Sequence, residues 1–446
     1  MSLKVIILAA GQGTRMKSEL PKVMHRVCNK PMLEHVINNT NIDNSEAIVV
    51  IGHKSEFIKE YFADSVNYAY QTEQLGTGHA VMMANDHITD NDEVLIICGD
   101  TPLIEKDILE KMYALKKNNF QAVVMTSDIE NPTGYGRIIK DGEKFVKIVE
   151  EKDSNESQKQ IKEINAGTYI IDGKLLRKEL KNLSTENSQN EYYLTDVLEN
   201  IAKDHNVCTF KVDSESILGV NSRLQLSQAE RIMRKRINEK LMSEGVTIIN
   251  PECTYIDKEV IIEKDCIIYP NCNILGETKI GKNTVIRENT TIENSTIGED
   301  TVIKSSTIIE AKVGNNTTVG PYAYLRPKTD IGNNCKVGDF VEFKNAKFGD
   351  GSKASHLSYI GDAEVGKNVN VGCGVVFVNY DGKKKYKTLI KDNAFIGSNS
   401  NLVAPVIVEE NAFVAAGSTI TGDVPENSLA VARARQVNKT DWNSNK

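Results

Sequence analysis

Two stretches near the start of the chain have the makings of a phosphate site. LAAGQGTRM (8–16) carries Gly11 and Gly13 directly behind an apolar run, with Arg15 inside it and Lys22 in the LPK that follows. Glycines let a backbone turn tightly and approach an anion with no Cβ in the way, and peptide N–H groups can then point at a phosphate. Two cations bring charge to the same place, while a bare connecting turn is the ordinary alternative for such glycines. The string does not fit GxxxxGK[ST], which disfavours a P-loop. Asp100 closes VLIICGD and Asn221 closes ILGVN, both at expected strand ends. A carboxylate and an amide oxygen suit Mg2+, which keeps its other positions for water and phosphate oxygens. Helix capping is the ordinary alternative for either residue. QTEQLGTGHA (71–80) offers amides and backbone groups that could read the edge of a planar base.

A different chemistry belongs to the second half. His356, in ASHLSYIGDAEVG (354–366), is the only histidine after His205. Indexed against the surrounding repeat, Ala354 and Ser358 take the inner slots, so His356 and Tyr359 face outward. Arg326, Lys344 and the lysine-rich loop NYDGKKKYKT (379–388) also project outward. A lone imidazole among cations could take a proton from an amine bound beside a phosphate, since histidine titrates near neutral pH. An ordinary exposed histidine and a solvated basic loop are the plainer readings.

The elements that must position these groups follow two grammars. Up to about residue 221, apolar runs at 4–10, 47–52, 66–71, 94–100 and 122–127 read as buried strands, with amphipathic stretches such as 31–40 and 105–117 between them. This order predicts a mostly parallel α/β sheet with ligands at the carboxyl ends of its strands. Residues 222–245 read as a connecting helix, with Ser222 as N-cap and Leu226, Ala229, Met233, Ile237 and Leu241 near one face. From about 256 an aliphatic residue recurs every sixth position: Ile256, Ile262, Ile268, Ile274, Ile280 and Ile286. The series resumes at Ile297 and again at Ile390 after an interruption. A glycine often follows the aliphatic residue, and a small residue lies four positions after it. The pattern predicts a hexapeptide parallel β-helix with the aliphatic residues along its axis.

Composition agrees with a soluble globular protein of two domains: 446 residues, 40% apolar and 26% charged. A net charge of −7 argues against nucleic acid as the main partner. No apolar stretch has membrane-spanning length, and the opening MSLKVIILAAG is too short for a secretion signal. Eight cysteines without CxxC or scaffold spacing predict reduced thiols in a cytoplasmic protein.

Taken together, LxxGxGTRM with LPK, GYGR (134–137), VEEKD (149–153), EINAG (163–167), the hexads and His356 resemble one family over nearly the whole chain. It is the bacterial bifunctional N-acetylglucosamine-1-phosphate uridylyltransferase and glucosamine-1-phosphate N-acetyltransferase. The resemblance implies a Rossmann-like nucleotidyltransferase domain (1–221), the linking helix (222–245), a left-handed β-helix acetyltransferase domain (246–433) and a tail (434–446). It implies Mg2+ on Asp100 and Asn221, and catalysis of uridylyl transfer by Arg15 and Lys22. Nucleotide contacts would come from Leu8, Ala9, Ala10, Gly11, Gln71, Gln74, Gly76 and Thr77, and sugar-phosphate contacts from Gly136, Glu150, Asn165 and Asn221. In the β-helix, His356 would be the general base of a homotrimer, with Arg326, Lys344, Tyr359, Asn370 and Lys385 around the sugar phosphate. Cys373, Asn379, Tyr380, Ser398, Ala416 and Arg433 match acetyl-CoA contacts. Two residues depart from the family pattern: Cys98, where Tyr is frequent, and Cys373, where Ala is common. Competing readings are a nucleotidylyltransferase with a purely structural or regulatory β-helix, or a binding protein whose repeats form an assembly surface.

Overall fold

The computed structural model describes residues 2–43, 45–440 and 442, and the chain forms two compact units, Met1–Met233 and Arg234–Lys446. Residues 441 and 443–446 of the expected tail lie outside the described residues.

All five expected strands of the first unit form: Leu3–Leu8, Glu46–Ile51, Asn67–Tyr70, Glu93–Cys98 and Ala122–Asp128. Their sheet runs in the order Val207–Lys211, Ala122–Asp128, Glu163–Asp172, Glu93–Cys98, Leu3–Leu8, Glu46–Ile51, Asn67–Tyr70. Pairing is parallel except at Glu163–Asp172, which runs against both neighbours. Alternate residues enter different cores. Ile6, Ile48, Val50 and Ile96 meet Val81, Leu176 and Val197 on one face, while Ile7, Val49, Ile51 and Ile97 meet Leu33, Ile58 and Leu109 on the other. Burial on both faces explains why these strands read as continuous apolar runs. The first strand pairs with Glu46–Ile51 on one side and Glu93–Cys98 on the other, so the strand order reverses between them. Crevices at such reversals are where α/β sheets hold ligands.

Arg137–Asp141, Lys144–Val149 and Val207–Lys211 join the sheet without having been read from sequence, and a bulge hides a further strand, Glu163–Asp172. Its register against Ala122–Asp128 shifts between Asn165 and Tyr169, and Gly167 sits at φ 71° inside the bulge. The bulge breaks the alternation that marks a strand and re-aims Asn165. Helix Arg223–Ser243 begins where expected, with Gln225 N donating to Ser222 Oγ at 3.3 Å.

The second unit is a parallel β-helix whose strands are mostly two or three residues long, most of them paired with the strand three positions on. Axial residues stack as Ile256–Ile274–Ile292 and Ile262–Ile280–Ile297. After Ile292 the next axial residue is Ile297, one position short of a hexad, and short sides recur at Ile303–Ile308 and Phe343–Phe348. These short sides are why the period changes register along the sequence. Val365 stacks on Ile390, so the loop after Phe377 is extruded without disturbing the axis. The slot four residues after an axial position holds a buried hydroxyl that donates to a carbonyl of the next coil, as Thr284 does to Gly298 O at 2.7 Å. Cys266, Cys272 and Cys335 occupy the same slot and donate to Gly281 O, Arg287 O and Gly349 O at 3.1–3.2 Å.

Candidate active sites

At the carboxyl edge of the sheet, Leu8, Ala9, Ala10 and Gly11 line a cavity of about 290 Å³ with Gln71, Gln74, Gly76, Thr77, Lys22, Asp100 and Cys98. All eight expected nucleotide-binding residues are therefore brought together. The backbone N–H groups of Gly11, Gln12 and Gly13 find no protein acceptor among the described residues, which leaves them for an anion. Gly13 takes φ 61° and packs so closely on Lys22 that a side chain there would strike Lys22 Cβ. Gln74 Nε2 donates to Ala10 O at 2.7 Å, tying the two loops together, and Gln71 Nε2 donates to Gly76 O at 3.1 Å within its own loop.

Asp100 and Asn221 converge on one cation. Lys22 Nζ donates to Asp100 Oδ2 at 2.5 Å and to Asn221 Oδ1 at 2.9 Å. Ser222 caps the helix, so the side chain of Asn221 is not its cap and its amide oxygen faces the site. A carboxylate and an amide oxygen that share one ammonium fit a hard divalent ion completed by water and phosphate oxygens. Val220 N donates to Asp100 O at 2.9 Å, which fixes the spacing of the pair. Arg15 lies differently: it is exposed and outside the cavity lining, with no bond or ion pair among the described residues.

Beside the cavity, Asn165 N donates to Gly136 O at 2.9 Å, and a Cβ on Gly136 would lie 3.4 Å from Glu150 Oε2 and 3.5 Å from Asn165 Cβ. Gly136, Glu150 and Asn165 thus form one cluster. Burial pushes the Glu150 carboxyl up, with Asp153, Asp196 and Glu191 adding to the rise and the Thr195 hydroxyl, 3.2 Å from Oε1, opposing it. In the same GYGR stretch Arg137 is almost fully buried and pairs with Glu151 at 2.7 Å, anchoring the turn. Burial beside Asp100 pushes the Cys98 thiol up to about 12, so it lines the site as a neutral group. Glu191 also lines the cavity and was not singled out from sequence. It lies in QNEYYLTD, a stretch with neither period nor glycine signal.

On the β-helix, one corner carries a basic cluster. Arg326 follows Leu325, Lys344 follows Phe343 on the next coil, and Asp362 and Asn379 follow on the coils after. Lys344 Nζ lies 3.5 Å from Asp362 Oδ2, which also accepts from Asn379 Nδ2 at 2.6 Å. Asn379 reaches the Tyr359 hydroxyl at 3.4 Å, and Arg326 pairs with Glu342 at 2.8 Å. Lys344 beside it, with Arg326 near, holds the Lys385 ammonium below the usual lysine range. Like charges gathered this way are relieved by a bound anion. Asn370 is not in this cluster: it stands on another side of the coil, paired between Lys353 and Phe395.

His356 occupies a second corner with its side chain 59% exposed, and it bonds to none of Arg326, Lys344 or Lys385. Its Nδ1 lies 2.7 Å from Asp339 Oδ1, a residue the sequence reading passed over. The backbone N–H of Asp339 and the His356 ring hold the Asp339 carboxyl below the usual carboxylate range, so it is ionised near neutrality. Cys373, Ser398 and Ala416 continue the same corner on successive coils, and Arg433 reaches it at Gly417. Asn379 and Tyr380 lie at the other corner, with the Tyr380 hydroxyl donating to Gly382 O at 2.7 Å. The six expected acetyl-CoA residues therefore fall on two edges of a single chain. Among the described residues no helix is long and apolar enough to cross a membrane.

Known proteins carry the same two halves. The family described as nucleotidyl transferase matches residues 4–216, and the bacterial transferase hexapeptide (six repeats) matches 259–294, 310–345 and 387–422. The bifunctional protein GlmU of Clostridioides difficile (strain 630) is 56% identical over 448 residues, covering 99% of this chain and 97% of that protein. The bifunctional protein GlmU of Alkaliphilus oremlandii (strain OhILAs) is 54% identical over 451 residues, covering 100% and 99%. Since this identity spans the nucleotide cavity and the hexapeptide coils alike, the chain belongs to the family of the bifunctional protein GlmU.

Proposed function

We propose that the chain makes UDP-N-acetylglucosamine in two steps, each on its own unit. The β-helix transfers an acetyl group from acetyl-CoA to glucosamine 1-phosphate. The first unit then transfers uridylyl from UTP to N-acetylglucosamine 1-phosphate and releases pyrophosphate. Such a protein acts in the cytoplasm, where both cosubstrates are made, and supplies cell-wall precursors.

In the first unit the triphosphate is received on the free N–H groups of Gly11, Gln12 and Gly13, with Leu8, Ala9, Ala10 and Gly11 lining the nucleotide cavity, and Gln71, Gln74, Gly76 and Thr77 hold the uracil. Asp100 and Asn221 would hold Mg2+, which when bound neutralises charge on the phosphates. Lys22 then turns from these two residues to the triphosphate, and Arg15, free of partners, folds in from the surface. Gly136, Glu150 and Asn165 orient the sugar so that its phosphate oxygen lies in line with the α-phosphorus. Positioning and charge carry this step, and no covalent enzyme group is needed.

In the second unit Arg326, Lys344, Tyr359 and Lys385 bind the sugar phosphate, with Asn370 contributed by a neighbouring copy in a homotrimer. Cys373, Asn379, Tyr380, Ser398, Ala416 and Arg433 hold acetyl-CoA. His356 takes a proton from the amine as its nitrogen attacks the thioester carbonyl; the C–S bond breaks and the proton passes to the departing sulfur. The observation that carries this reading is the exposed His356–Asp339 pair. A purely structural β-helix needs no such pair. Thiol release from acetyl-CoA with glucosamine 1-phosphate, UTP omitted, tests it. The wild type should release coenzyme A; a folded protein that releases none reduces the repeats to a scaffold.

A further inference from the structure

The contact between Asp339 and His356 is built by the fold. Strands Lys336–Phe348 and Lys353–Val365 each have 13 residues, against two or three for their neighbours. They pair in one constant register from Lys336↔Lys353 through Asp339↔His356 to Phe348↔Val365, so the ladder continues around corners where other coils interrupt it. Gly338 permits the close approach, because any side chain there would collide with the Ser355 carbonyl. The residues that follow the pair, Phe340 and Leu357, hold φ of 56° and 34°. Most other such corners give that conformation to Asn or Asp, which tolerate it better than bulky residues do. Strain of this kind persists where the surroundings over-determine it, often at functional sites.

From this placement we infer that Asp339 is the positioning residue of His356: it keeps the ring proton on Nδ1 and turns the Nε2 lone pair outward to meet the amine. The inference rests on the reading of His356 as base. Asp339 remains a carboxylate throughout; the proton moves from the amine nitrogen to Nε2 and on to the coenzyme A sulfur. Lys336, on the same strand as Asp339, Cys373, on the coil after His356, and Arg433, which reaches the corner at Gly417, also carry ionisable groups there, and among the described residues none of them bonds to the ring.

Nitrogen-15 NMR of the imidazoles in the full chain reads the tautomer directly, with the His356 signals identified by their loss in His356→Gln. The wild-type ring should be protonated on Nδ1, and Asp339→Asn should shift it toward the Nε2–H form. In parallel, kcat for acetyl transfer should fall by about 10- to 100-fold while KM for glucosamine 1-phosphate changes by less than about threefold. Circular dichroism and thermal unfolding of the full chain matching wild type report that the β-helix of the variant is folded. An Nε2–H ring in the wild type overturns the inference, as does a kcat in Asp339→Asn within about twofold of wild type. If His356→Ala itself retains acetyl transfer, the reading of the base fails. If His356→Ala is dead and Asp339→Asn is silent, only the role of Asp339 falls.

Discussion

Replacing Gly76 by alanine probes how the nucleotide cavity is held. Gly76 has φ 109°, a conformation that glycine adopts easily and other residues do not. A methyl group there would lie 2.6 Å from the Tyr192 carbonyl oxygen and 2.9 Å from the Tyr192 nitrogen. Those backbone atoms are themselves fixed, since Gly78 N donates to Tyr192 O and Tyr192 N to Leu75 O, both at 2.8 Å. Backbone strain at such a position costs about 1–3 kcal/mol. The loop escapes it only by drawing Gln71, Gln74 and Thr77 away from the cavity they line. If that energy is withdrawn from nucleotide binding, KM for UTP rises by about 5- to 150-fold, at about 1.4 kcal/mol per decade. Pyrophosphate release at varied UTP measures it, and acetyl transfer by the same molecules serves as an internal control because it belongs to the other unit. A KM for UTP within about twofold of wild type in a folded Gly76→Ala protein would refute the reasoning.

Glu150→Gln should make the first unit more stable near neutral pH while weakening use of the sugar phosphate. The raised Glu150 carboxyl adds stability while protonated, and this contribution is lost as pH rises through its folded-state value. Thermal unfolding between about pH 4 and about pH 8 should therefore fall away less in the variant, and parallel curves would remove Glu150 as the cause. Thiol labelling should single out Cys373, the exposed one of eight free cysteines. Burial pushes Cys98 up to about 12 and Cys208, Cys266, Cys272 and Cys335 up to about 11, so little of their reactive thiolate form exists near neutrality. Coenzyme A should slow iodoacetamide at Cys373; equal rates with and without it would take Cys373 out of the acyl-donor groove.

What the sequence displayed was whatever repeats or clusters locally. Strands buried on two faces read as apolar runs, and the axial isoleucines read as a six-residue period. Lys22 and Asp100 were recognisable beside a glycine turn and just past a strand end; Asn221 was expected to close a strand, but residues 217–221 form none, and the meeting of the three on one ammonium is a tertiary fact. Glu163–Asp172 was hidden by its bulge, whereas the short side after Ile292 showed in the sequence as a new register at Ile297. Asp339 was hidden for another reason. VGDF looks like the neighbouring corners IGED and IGNN, and only the register between two coils sets it beside His356. Tyr322, Phe340 and Leu357 are exposed at positive φ, and nothing in their local sequence announces a left-handed corner without Asn or Gly.

The two-unit account is tested most directly by mixing Asp100→Ala with His356→Ala in glucosamine 1-phosphate, acetyl-CoA, UTP and Mg2+. Asp100→Ala should release coenzyme A and stop at N-acetylglucosamine 1-phosphate. His356→Ala should release none, yet form UDP-N-acetylglucosamine when N-acetylglucosamine 1-phosphate is supplied. Each variant alone should fail the overall conversion, and the mixture should restore it. A His356→Ala protein that completes the conversion unaided, or an Asp100→Ala protein that forms the UDP-sugar at the wild-type rate, would contradict the account.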